Sequence, residues 1–397
     1  MKKDSGKLIA YTIHRFGKGS LVKWLIWAVR AWLRGLSAGN NRPNSSDHCD
    51  VLVMHTSEMA YGLRRFDNMV ARLKQQGLRV IETIALSEKN IVKKKACCGP
   101  YRYGILFRCF EGHSNWLRER YNPKVIITFR NGSVFSPFLK SKFVGDAVVF
   151  HMAHSVLTDQ SSRFHMLDYD YYCVYGKSSF EHLKKLPYKF GSCRVVFGGS
   201  YLFDENYVAK RPNKDLPLLF LGMGPELEET EQGARIYDAV CSWQKRSGKQ
   251  LYVRLHQRSD GQYWKNVHQD GIEVLPKGES FKVSAERASL ILAPYTNAVL
   301  DAALLGRPVQ LVAFPDEEDF LQVERFFGPR ASDVAGIDRQ IAKHFIEYDK
   351  SLDACKQFSN YHLEKGTESV SYIADVLARI CAGSPIEESV FIADNVI

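Results

Sequence analysis

Short apolar runs alternate with stretches of helical spacing along most of the chain. The first series of predicted strands begins at Asp50–Thr56 and ends at Arg194–Phe197. A second series begins at Leu216–Leu221, includes Leu290–Ala293 and ends at Val309–Val312. The stretches Leu63–Gln76 and Glu228–Ser247 are typical of the predicted helices between strands. Strands that alternate with helices favour right-handed crossovers and parallel sheets covered on both faces. The pattern therefore predicts an α/β protein with two doubly wound, Rossmann-like domains and a cleft between the carboxyl ends of their strands.

Two polar segments separate these series from each other and from the N-terminus. Ser37–Asp47 follows an apolar N-terminal stretch, and Ala209–Asp215 has the polarity and the proline of a linker. We therefore expect a helix and linker over residues 1–46, a first Rossmann-like domain over 47–210, and a second one with C-terminal helices over 211–397.

The stretch Leu21–Leu36 combines an apolar composition with three basic residues on one side of a predicted helix. Lys23, Arg30 and Arg34 fall within a narrow arc at 100° per residue. As a helix the stretch spans about 24 Å, less than the ~30 Å of a bilayer's hydrocarbon core, so we expect it to lie on an anionic membrane surface. Three tryptophans suit the headgroup region: Trp24, Trp27 and Trp32. The alternatives are a packed core helix and a signal peptide, and the internal basic residues argue against the second.

The composition is that of an ordinary globular protein. At 397 residues, with 45% hydrophobic and 25% charged residues, the chain is long enough for two domains with cores. Its net charge of +10 indicates an anionic partner: nucleic acid, a phosphorylated substrate or an acidic membrane surface. Because no dense arginine–aromatic alternation or known module is present, we expect no nucleic acid. The nine cysteines form no C-x-x-C pair, which favours free thiols in a reducing compartment over disulfides or zinc.

The segment Ala285–Val312 predicts a phosphate site at a helix N-terminus. A strand ends at Ala293, helical spacing covers Tyr295–Leu305, and Thr296 and Asn297 lie where the helix begins. Hydroxyl and amide groups beside the unpaired N–H groups and the positive dipole end of a helix form a ready anion site. The alternative is that one of these two side chains merely caps the helix.

Further polar residues end or follow predicted strands, at the edge where open α/β sheets bind their ligands. They are His151 and His154 in the first series, and Glu226, Glu228, Glu229, Arg254, His256 and Arg258 in the second. A histidine at such a position is suited to proton transfer near neutral pH. For the glutamates, the alternative is an acidic first helical turn, which the helix dipole favours.

Metal and cofactor motifs give no positive signal. Asp168-Tyr169-Asp170 matches the D-x-D pattern of metal-dependent sugar transferases, but three-residue patterns arise often by chance. The chain contains no P-loop, complete dinucleotide fingerprint, G-x-S-x-G elbow or zincin motif. We therefore expect neither a metal nor a bound cofactor.

Three segments carry a resemblance to a known protein family. The first is VVFHMAHSVLTDQ (Val148–Gln160) followed by DYDYYCVYGKSSFEHLKK (Asp168–Lys185), the second is YVRLHQ (Tyr252–Gln257), and the third is APYTNAVLDAALLGRPV (Ala293–Val309). They are similar to the histidine loop and following strand, the R-x-H-P motif and the DYSSVxFDxxxLxRPV motif of CDP-glycerol glycerophosphotransferases. That family belongs to the GT-B superfamily of glycosyltransferases and builds teichoic acids and related capsule polymers.

The resemblance implies a metal-independent transferase with an acceptor-side first domain and a nucleotide-donor second domain. It would move glycerol phosphate or a sugar from a cytidine-nucleotide donor to a hydroxyl of a lipid-linked glycan, with release of CMP, during capsule, O-antigen or teichoic-acid-like assembly. The family's functional positions fall on His154 as general base and on Arg254, His256, Thr296, Asn297 and Asp301 for the donor. Ser155, Gln257 and Asn297 depart from the family's residues, which leaves the donor open.

Two alternatives to this function remain. Transferases that use CMP-Kdo or CMP-sialic acid share a similar histidine motif and a similar helix, and a retaining reaction of that class would use a carboxylate, for which Glu226 and Glu228 are the candidates. The other alternative is a non-catalytic GT-B-like scaffold at the membrane. In each case we expect a cytoplasmic protein, peripheral on the inner face of the cell membrane.

Overall fold

The two series of strands form two separate parallel sheets. The computed structural model describes residues 2–17, 20–130, 132–140, 147–158, 166–186, 190–267 and 269–393. The chain divides into unit 1, which comprises Met1–Asp204 and Glu368–Ile397, and unit 2, which comprises Glu205–Thr367.

Unit 1 is built on a sheet whose strand order is β12-β6-β5-β4-β3-β1-β2. The strands are β1 Val51–His55, β2 Val80–Ile84, β3 Val125–Thr128, β4 Val148–Met152, β5 Tyr171–Val174, β6 Cys193–Phe197 and β12 Val390–Ile392. The first six run parallel, and β12 pairs antiparallel with β6. The helices are α1 Lys2–Gly17, α2 Leu21–Ser37, α3 Glu58–Gly62, α4 Asp67–Gln75, α5 Glu88–Lys93, α6 Arg108–Tyr121, α7 Ser136–Lys140, α8 Lys177–Lys185 and α17 Ser369–Cys381.

Unit 2 contains a smaller parallel sheet in the order β11-β10-β7-β8-β9. Its strands are β7 Leu218–Leu221, β8 Leu251–Arg254, β9 Ile272–Val274, β10 Leu290–Ala293 and β11 Val309–Leu311. Its helices are α9 Pro225–Glu228, α10 Glu231–Ser247, α11 Gln262–Lys265, α12 Phe281–Glu286, α13 Ala298–Leu304, α14 Val323–Phe327, α15 Val334–Ile346 and α16 Tyr348–His362. In both sheets the central strands are apolar and buried, as expected for parallel strands covered by helices on both faces.

The C-terminal segment differs from the predicted domain boundaries, because it returns to unit 1. The predicted second domain runs from residue 211 to 397, whereas unit 2 of the structure begins at Glu205 and ends at Thr367. On α17, Val370, Ile373 and Leu377 form a stripe of helical spacing that is buried in the core of unit 1. This stripe cannot be assigned to either domain from its spacing alone, since any apolar sheet face could cover it.

Helix α2 matches the predicted amphipathic helix, but two of the tryptophans expected at the membrane surface pack against α1. Trp24 Nε1 donates to Thr12 Oγ1 at 3.1 Å, and the Trp27 ring stacks on that of Phe16 with 4.3 Å between centroids. These two tryptophans are therefore held against α1 and are not free for headgroup contacts, which corrects the expectation. The exposed face of α2 carries Leu21, Val22, Leu25, Ile26, Val29, Trp32, Leu33 and Leu36.

The opposite face of α2 is fixed to unit 1 by close packing and an ion pair. Gly35 lies so close to the segment before α6 that a Cβ added there would stand 2.0 Å from the carbonyl oxygen of Ile105. Arg34 Nη1 donates to Glu88 Oε2 at 3.2 Å. In the described part of the chain, no helix is both long enough and apolar enough to cross a membrane.

Candidate functional site

The sheet of unit 2 has a topological switch point between β7 and β10. After β7 the chain adds β8 and β9 on one side, then crosses back to add β10 and β11 on the other. Open α/β sheets bind ligands outside the carboxyl ends of their strands at such a point. The segments that follow these two strands are Gly222–Gly224 and Pro294–Asn297.

A charged cluster lies directly after β7 and β8. Arg258 Nη2 donates to Glu226 Oε2 at 2.9 Å, and a second hydrogen bond joins the same two side chains. A Cβ at Gly224 would lie 3.0 Å from Glu226 Oε2 and 3.7 Å from His256 Cε1, so the glycine leaves room where these side chains converge. The backbone N–H of Arg258 donates to His256 Nδ1 at 3.2 Å, which directs Nε2 away from that backbone.

Burial and neighbouring charges set the pKa of His256. Partial burial lowers it below the ordinary value of 6.5, and the charge of Arg258 lowers it further. The carboxylates of Glu226 and Glu228 oppose this shift. The side chain is therefore predominantly neutral at pH 7, and a bound anion would raise its pKa and draw it towards the charged form.

Glu228 has one satisfied and one unsatisfied carboxylate oxygen. Its Oε2 accepts a hydrogen bond from Ser259 Oγ, while Oε1 is buried without a hydrogen-bond partner. Lys277 Nζ donates to the carbonyl oxygen of Ser259 at 2.9 Å, which brings a cation beside the same loop. An unpaired buried carboxylate oxygen costs free energy, so Glu228 is the better placed of the two candidate glutamates to meet a ligand donor or cation.

Arg254 on β8 and Asp301 on α13 lie near enough for the charge of each to affect the pKa of the other. Arg254 Nη1 donates to the carbonyl oxygen of Glu279 at 2.8 Å and to Ser284 Oγ at 2.7 Å. Burial raises the pKa of Asp301 to about 6, and the nearby charge of Arg254 opposes that shift. Tyr207 donates its hydroxyl hydrogen to Asp301 Oδ1 at 2.7 Å.

Thr296 and Asn297 begin a helix that is shorter than predicted. Helix α13 covers Ala298–Leu304, whereas the spacing predicted Tyr295–Leu305, and Asn297 at the N-cap position makes no side-chain capping bond. Thr296 Oγ1 accepts from the N–H of Ala298 at 3.3 Å. In the described residues of unit 2, neither side chain is hydrogen-bonded to Arg254 or His256, so the phosphate site at this position stays a prediction.

Some residues of these clusters give no local sequence signal. Tyr207 lies inside the stretch that the linker prediction assigned to the first domain, yet it belongs to unit 2 and bonds Asp301. Glu279 precedes the short helix α12 and Ser284 lies within it, and both meet Arg254 because this helix lies beside the end of β8. By contrast, Arg258 follows a predicted strand, and this position alone marks it as a candidate site residue.

In unit 1, His154 lies on the wall of a cavity of about 440 Å³. The cavity, here called the basic cavity, lies beyond the ends of β1, β3 and β4, which include the switch point between β1 and β3. The His154 side chain is exposed to this space, and the surrounding protein nevertheless desolvates the ring enough to lower its pKa below 6.5. It is therefore predominantly an unprotonated base at pH 7.

His151, the other strand-end histidine of the first series, is structural. It is fully buried, stacks on Tyr169 with 4.3 Å between ring centroids, and its Nδ1 lies 3.0 Å from Thr128 Oγ1. Burial lowers its pKa to about 3, so the ring is neutral in the folded protein. Of the family-like segment Val148–Gln160, residues 159 and 160 lie outside the described residues.

The D-x-D residues have structural partners. Lys140 Nζ lies 3.1 Å from Asp168 Oδ1, and Asp170 Oδ2 accepts from the N–H of Val149 at 2.8 Å. In the part of the chain that the structure describes, no group of three or more His, Cys, Asp or Glu side chains is arranged to hold a metal ion. The nine cysteines are free thiols, and only Cys241 among them is not buried.

Comparisons with known proteins identify the fold but no family. No family model and no curated protein matches the sequence. A protein from Listeria monocytogenes assigned as a UDP-N-acetylglucosamine 2-epimerase aligns with a TM-score of 0.56 at 11% identity, covering 84% of this chain and 97% of its own. The chain has the GT-B fold.

Two further solved structures agree with this fold. MnaA of S. aureus, in a co-structure with UDP, aligns with a TM-score of 0.51 at 13% identity over 84% of this chain and 98% of its own. MurG of Acinetobacter baumannii gives a TM-score of 0.50 at 13% identity over 84% of this chain and 99% of its own. At these identities the similarity extends to the architecture, while the chemistry must be argued from the side chains.

Proposed function

We propose that this protein is a GT-B glycosyltransferase or glycerophosphotransferase of bacterial surface glycan assembly. It moves glycerol phosphate or a sugar from a cytidine-nucleotide donor to a hydroxyl of a lipid-linked glycan and releases CMP. The observation that carries the proposal is the row of basic side chains at the carboxyl end of β8, where Arg254 ends the strand and His256 and Arg258 follow it. The charge of Arg254 also acts on Asp301 of α13. That edge is where a doubly wound sheet binds a nucleotide, and the similar MnaA was solved with UDP.

Each unit then has its own role. In unit 2, the cations near β8 and the N–H groups at the start of α13 neutralise the phosphate charge of the donor and of departing CMP. In unit 1, His154 removes the proton from the acceptor hydroxyl. For glycerol phosphate transfer, the acceptor oxygen forms a bond to the β-phosphorus, the bond from that phosphorus to the bridging oxygen breaks, and CMP leaves with the bridging oxygen.

A retaining transfer from CMP-Kdo or a related acidic sugar is the second candidate. The observation that favours it is the buried, unpartnered Oε1 of Glu228 at the edge where the donor would bind. A carboxylate in that position can stabilise positive charge at an anomeric carbon or attack it. Glu226 is less suited to this role, since both of its oxygens accept hydrogen bonds from Arg258.

A panel of nucleotides tests the donor class on the full chain. We expect CMP and CDP to raise the thermal unfolding temperature, and UDP and GDP to have little effect, because a ligand that binds only the folded state stabilises it by about 2.7 kcal/mol at 100 times its Kd. Stabilisation by UDP alone would contradict the cytidine assignment. If no nucleotide shifts the transition and no donor is consumed, the protein is a scaffold with the GT-B fold.

The exposed face of α2 carries the proposed attachment to the membrane. We expect the double substitution Leu25→Glu and Leu33→Glu to weaken binding to anionic vesicles by at least about tenfold, because each leucine loses apolar burial in the interface. Both side chains are 52% exposed, so the fold should tolerate the change. Cosedimentation with phosphatidylglycerol vesicles measures it, with Ile346→Glu, on α15 of unit 2, as the matched control. Equal sedimentation of the double variant and the wild-type protein would contradict the proposal.

A further inference from the structure

Two cavities of unit 1 share a wall. The basic cavity of about 440 Å³ and a second cavity of about 240 Å³ are both lined by Arg15, Phe129 and Arg130. The second cavity, here called the apolar cavity, extends under the N-terminal helices, where Phe16 of α1 and Trp27 of α2 form part of its lining. One ligand can therefore contact both spaces across the shared residues.

The described lining of the basic cavity has an excess of basic side chains. Three arginines line it, Arg15, Arg65 and Arg130, and none of the described lining residues is a carboxylate. In the described part of the chain, neither Arg65 nor Arg130 forms a salt bridge with an acidic side chain. Burial lowers the pKa of Arg15, and the neighbouring charge of Arg130 lowers it further. The guanidinium groups of Arg65 and Arg130 therefore favour the binding of a phosphate group, which accepts the hydrogen bonds of a guanidinium in pairs.

The two histidines of the basic cavity differ in their surroundings. His55 Nε2 lies 2.7 Å from Glu82 Oε2, and its ring stacks on that of Phe129 with 5.9 Å between centroids. Among the described residues, none of the carboxylates is paired with His154, the proposed base. The attraction for an anion therefore comes from the arginines. His154 lines the same cavity, so it lies beside the space that a bound phosphate group would occupy.

The apolar cavity is lined mainly by aromatic and aliphatic side chains. Phe110, Phe135 and Leu139 contribute, opposite Phe16 and Trp27. Among its described lining residues, the one carboxylate is Glu88, whose Oε2 accepts from Arg34 of α2 at 3.2 Å and whose Oε1 is buried without a hydrogen-bond partner. Burial raises the pKa of Glu88, which favours its neutral form beside an apolar ligand. The helix that covers this cavity is also the one whose outer face exposes large apolar side chains. An apolar chain leaving the cavity beside α2 would continue along an apolar surface.

We propose that the two cavities together bind a prenyl or acyl phosphate, with the phosphate among Arg15, Arg65 and Arg130 and the first part of the hydrocarbon chain beneath α1 and α2. This inference rests on the proposed function, because such a molecule is the lipid end of a lipid-linked glycan acceptor. The inference adds where the lipid end of the acceptor binds. The proposed nucleotide site in unit 2 leaves that location undetermined. It also gives α1 and α2 a role in substrate binding besides attachment to a membrane.

The test uses the full chain, without nucleotide, and farnesyl phosphate below its micelle concentration. We expect calorimetry to show that farnesyl phosphate binds at least tenfold more tightly than inorganic phosphate, dimethylallyl phosphate or farnesol, since only it engages both cavities. Equal affinity for inorganic phosphate would overturn the inference, because it would show a simple anion site. Equal affinity for dihexanoyl phosphatidylglycerol would also overturn it, because the site would then recognise membrane lipids in general.

Arginine variants locate the phosphate. We expect Arg65→Gln and Arg130→Gln each to weaken farnesyl phosphate binding by about tenfold or more, the scale of hydrogen bonds to a charged group. Arg64→Gln is the matched control, because Arg64 pairs with Asp67 at 2.8 Å and does not line the cavity. Unchanged binding by both test variants would place the phosphate elsewhere and overturn the inference. If farnesyl phosphate binds but CMP and CDP do not, the proposed function fails and the amphiphile site stands.

Discussion

Replacement of His154 with alanine is expected to lower the turnover of transfer by about 10²–10⁴-fold, the usual contribution of a general base. The acceptor hydroxyl would lose the group that takes its proton, while the nucleotide-binding residues of unit 2 would be unchanged. We therefore expect CMP affinity to stay near the wild-type value, so that the loss falls on the chemical step. Steady-state transfer assays combined with calorimetric CMP titration separate the two quantities.

The pH profile distinguishes a base from a residue that only packs. Because partial burial lowers the His154 pKa below 6.5, the neutral form persists to lower pH than for a free histidine. Wild-type kcat/KM should fall only when the pH drops below the lowered pKa of His154. The His154→Ala variant should lack this decrease of kcat/KM at low pH. His48→Ala, which changes an exposed histidine of unit 1 outside the basic cavity, is the control.

One combination of results would reassign the chemistry. If His154→Ala keeps its activity while Glu228→Gln is inactive, the reaction depends on a carboxylate and not on the histidine. The donor would then belong to the CMP-linked acidic sugars. The unpartnered Oε1 of Glu228 makes this outcome a specific alternative, since the amide keeps the size of the side chain but removes its charge.

Replacement of His256 with alanine should weaken nucleotide binding and transfer together. We expect a loss of roughly 1.5–3 kcal/mol, or about 10- to 150-fold, which is the scale of a hydrogen bond to a charged group. In the free protein burial and Arg258 keep the pKa of His256 low, and a bound phosphate would favour its protonated form. CMP affinity should therefore improve as the pH falls towards 6 in the wild-type protein and change less in the variant.

The neighbouring residue supplies the control for this prediction. Gln257 is exposed beside His256, and Gln257→Ala should bind CMP as the wild-type protein does. Wild-type CMP affinity in His256→Ala would refute the placement of the donor phosphate after β8. A loss of folding would be visible as a lowered unfolding temperature without nucleotide, and His256→Asn then repeats the test with a polar side chain.

Local patterns predicted the elements well where the strands are buried on both faces. The predicted strand Leu290–Ala293 is reproduced residue for residue, and Asp50–Thr56 contains the observed Val51–His55. The predicted helix Glu228–Ser247 is divided, because Thr230 Oγ1 accepts from the N–H of Gly233 at 3.0 Å and starts a new helix there. Apolar periodicity persists across such a break, since the cap changes the backbone direction without changing which residues are apolar.

The candidate sites were predictable in part. His154, Arg254 and His256 follow strands, and the end of a parallel strand faces the ligand edge wherever that strand lies in the sheet. Arg65, in contrast, follows no strand, and it joins the basic cavity only because the loop after α3 returns over β1. Contacts of this kind depend on packing between distant segments, which spacing along the chain does not encode.

The sequence by itself determined the alternation of strand and helix, the parallel sheets and the polar residues at strand ends, because these follow from local periodicity and backbone preference. The tertiary structure decided the strand order in each sheet and the return of α17 to unit 1. It also decided that the charges of Arg254 and Asp301 interact and that α1 and α2 contribute to the lining of a cavity. These outcomes depend on which apolar helix and sheet faces pack against each other. Several faces have a similar composition, so only the packing of the whole chain determines which of them are paired.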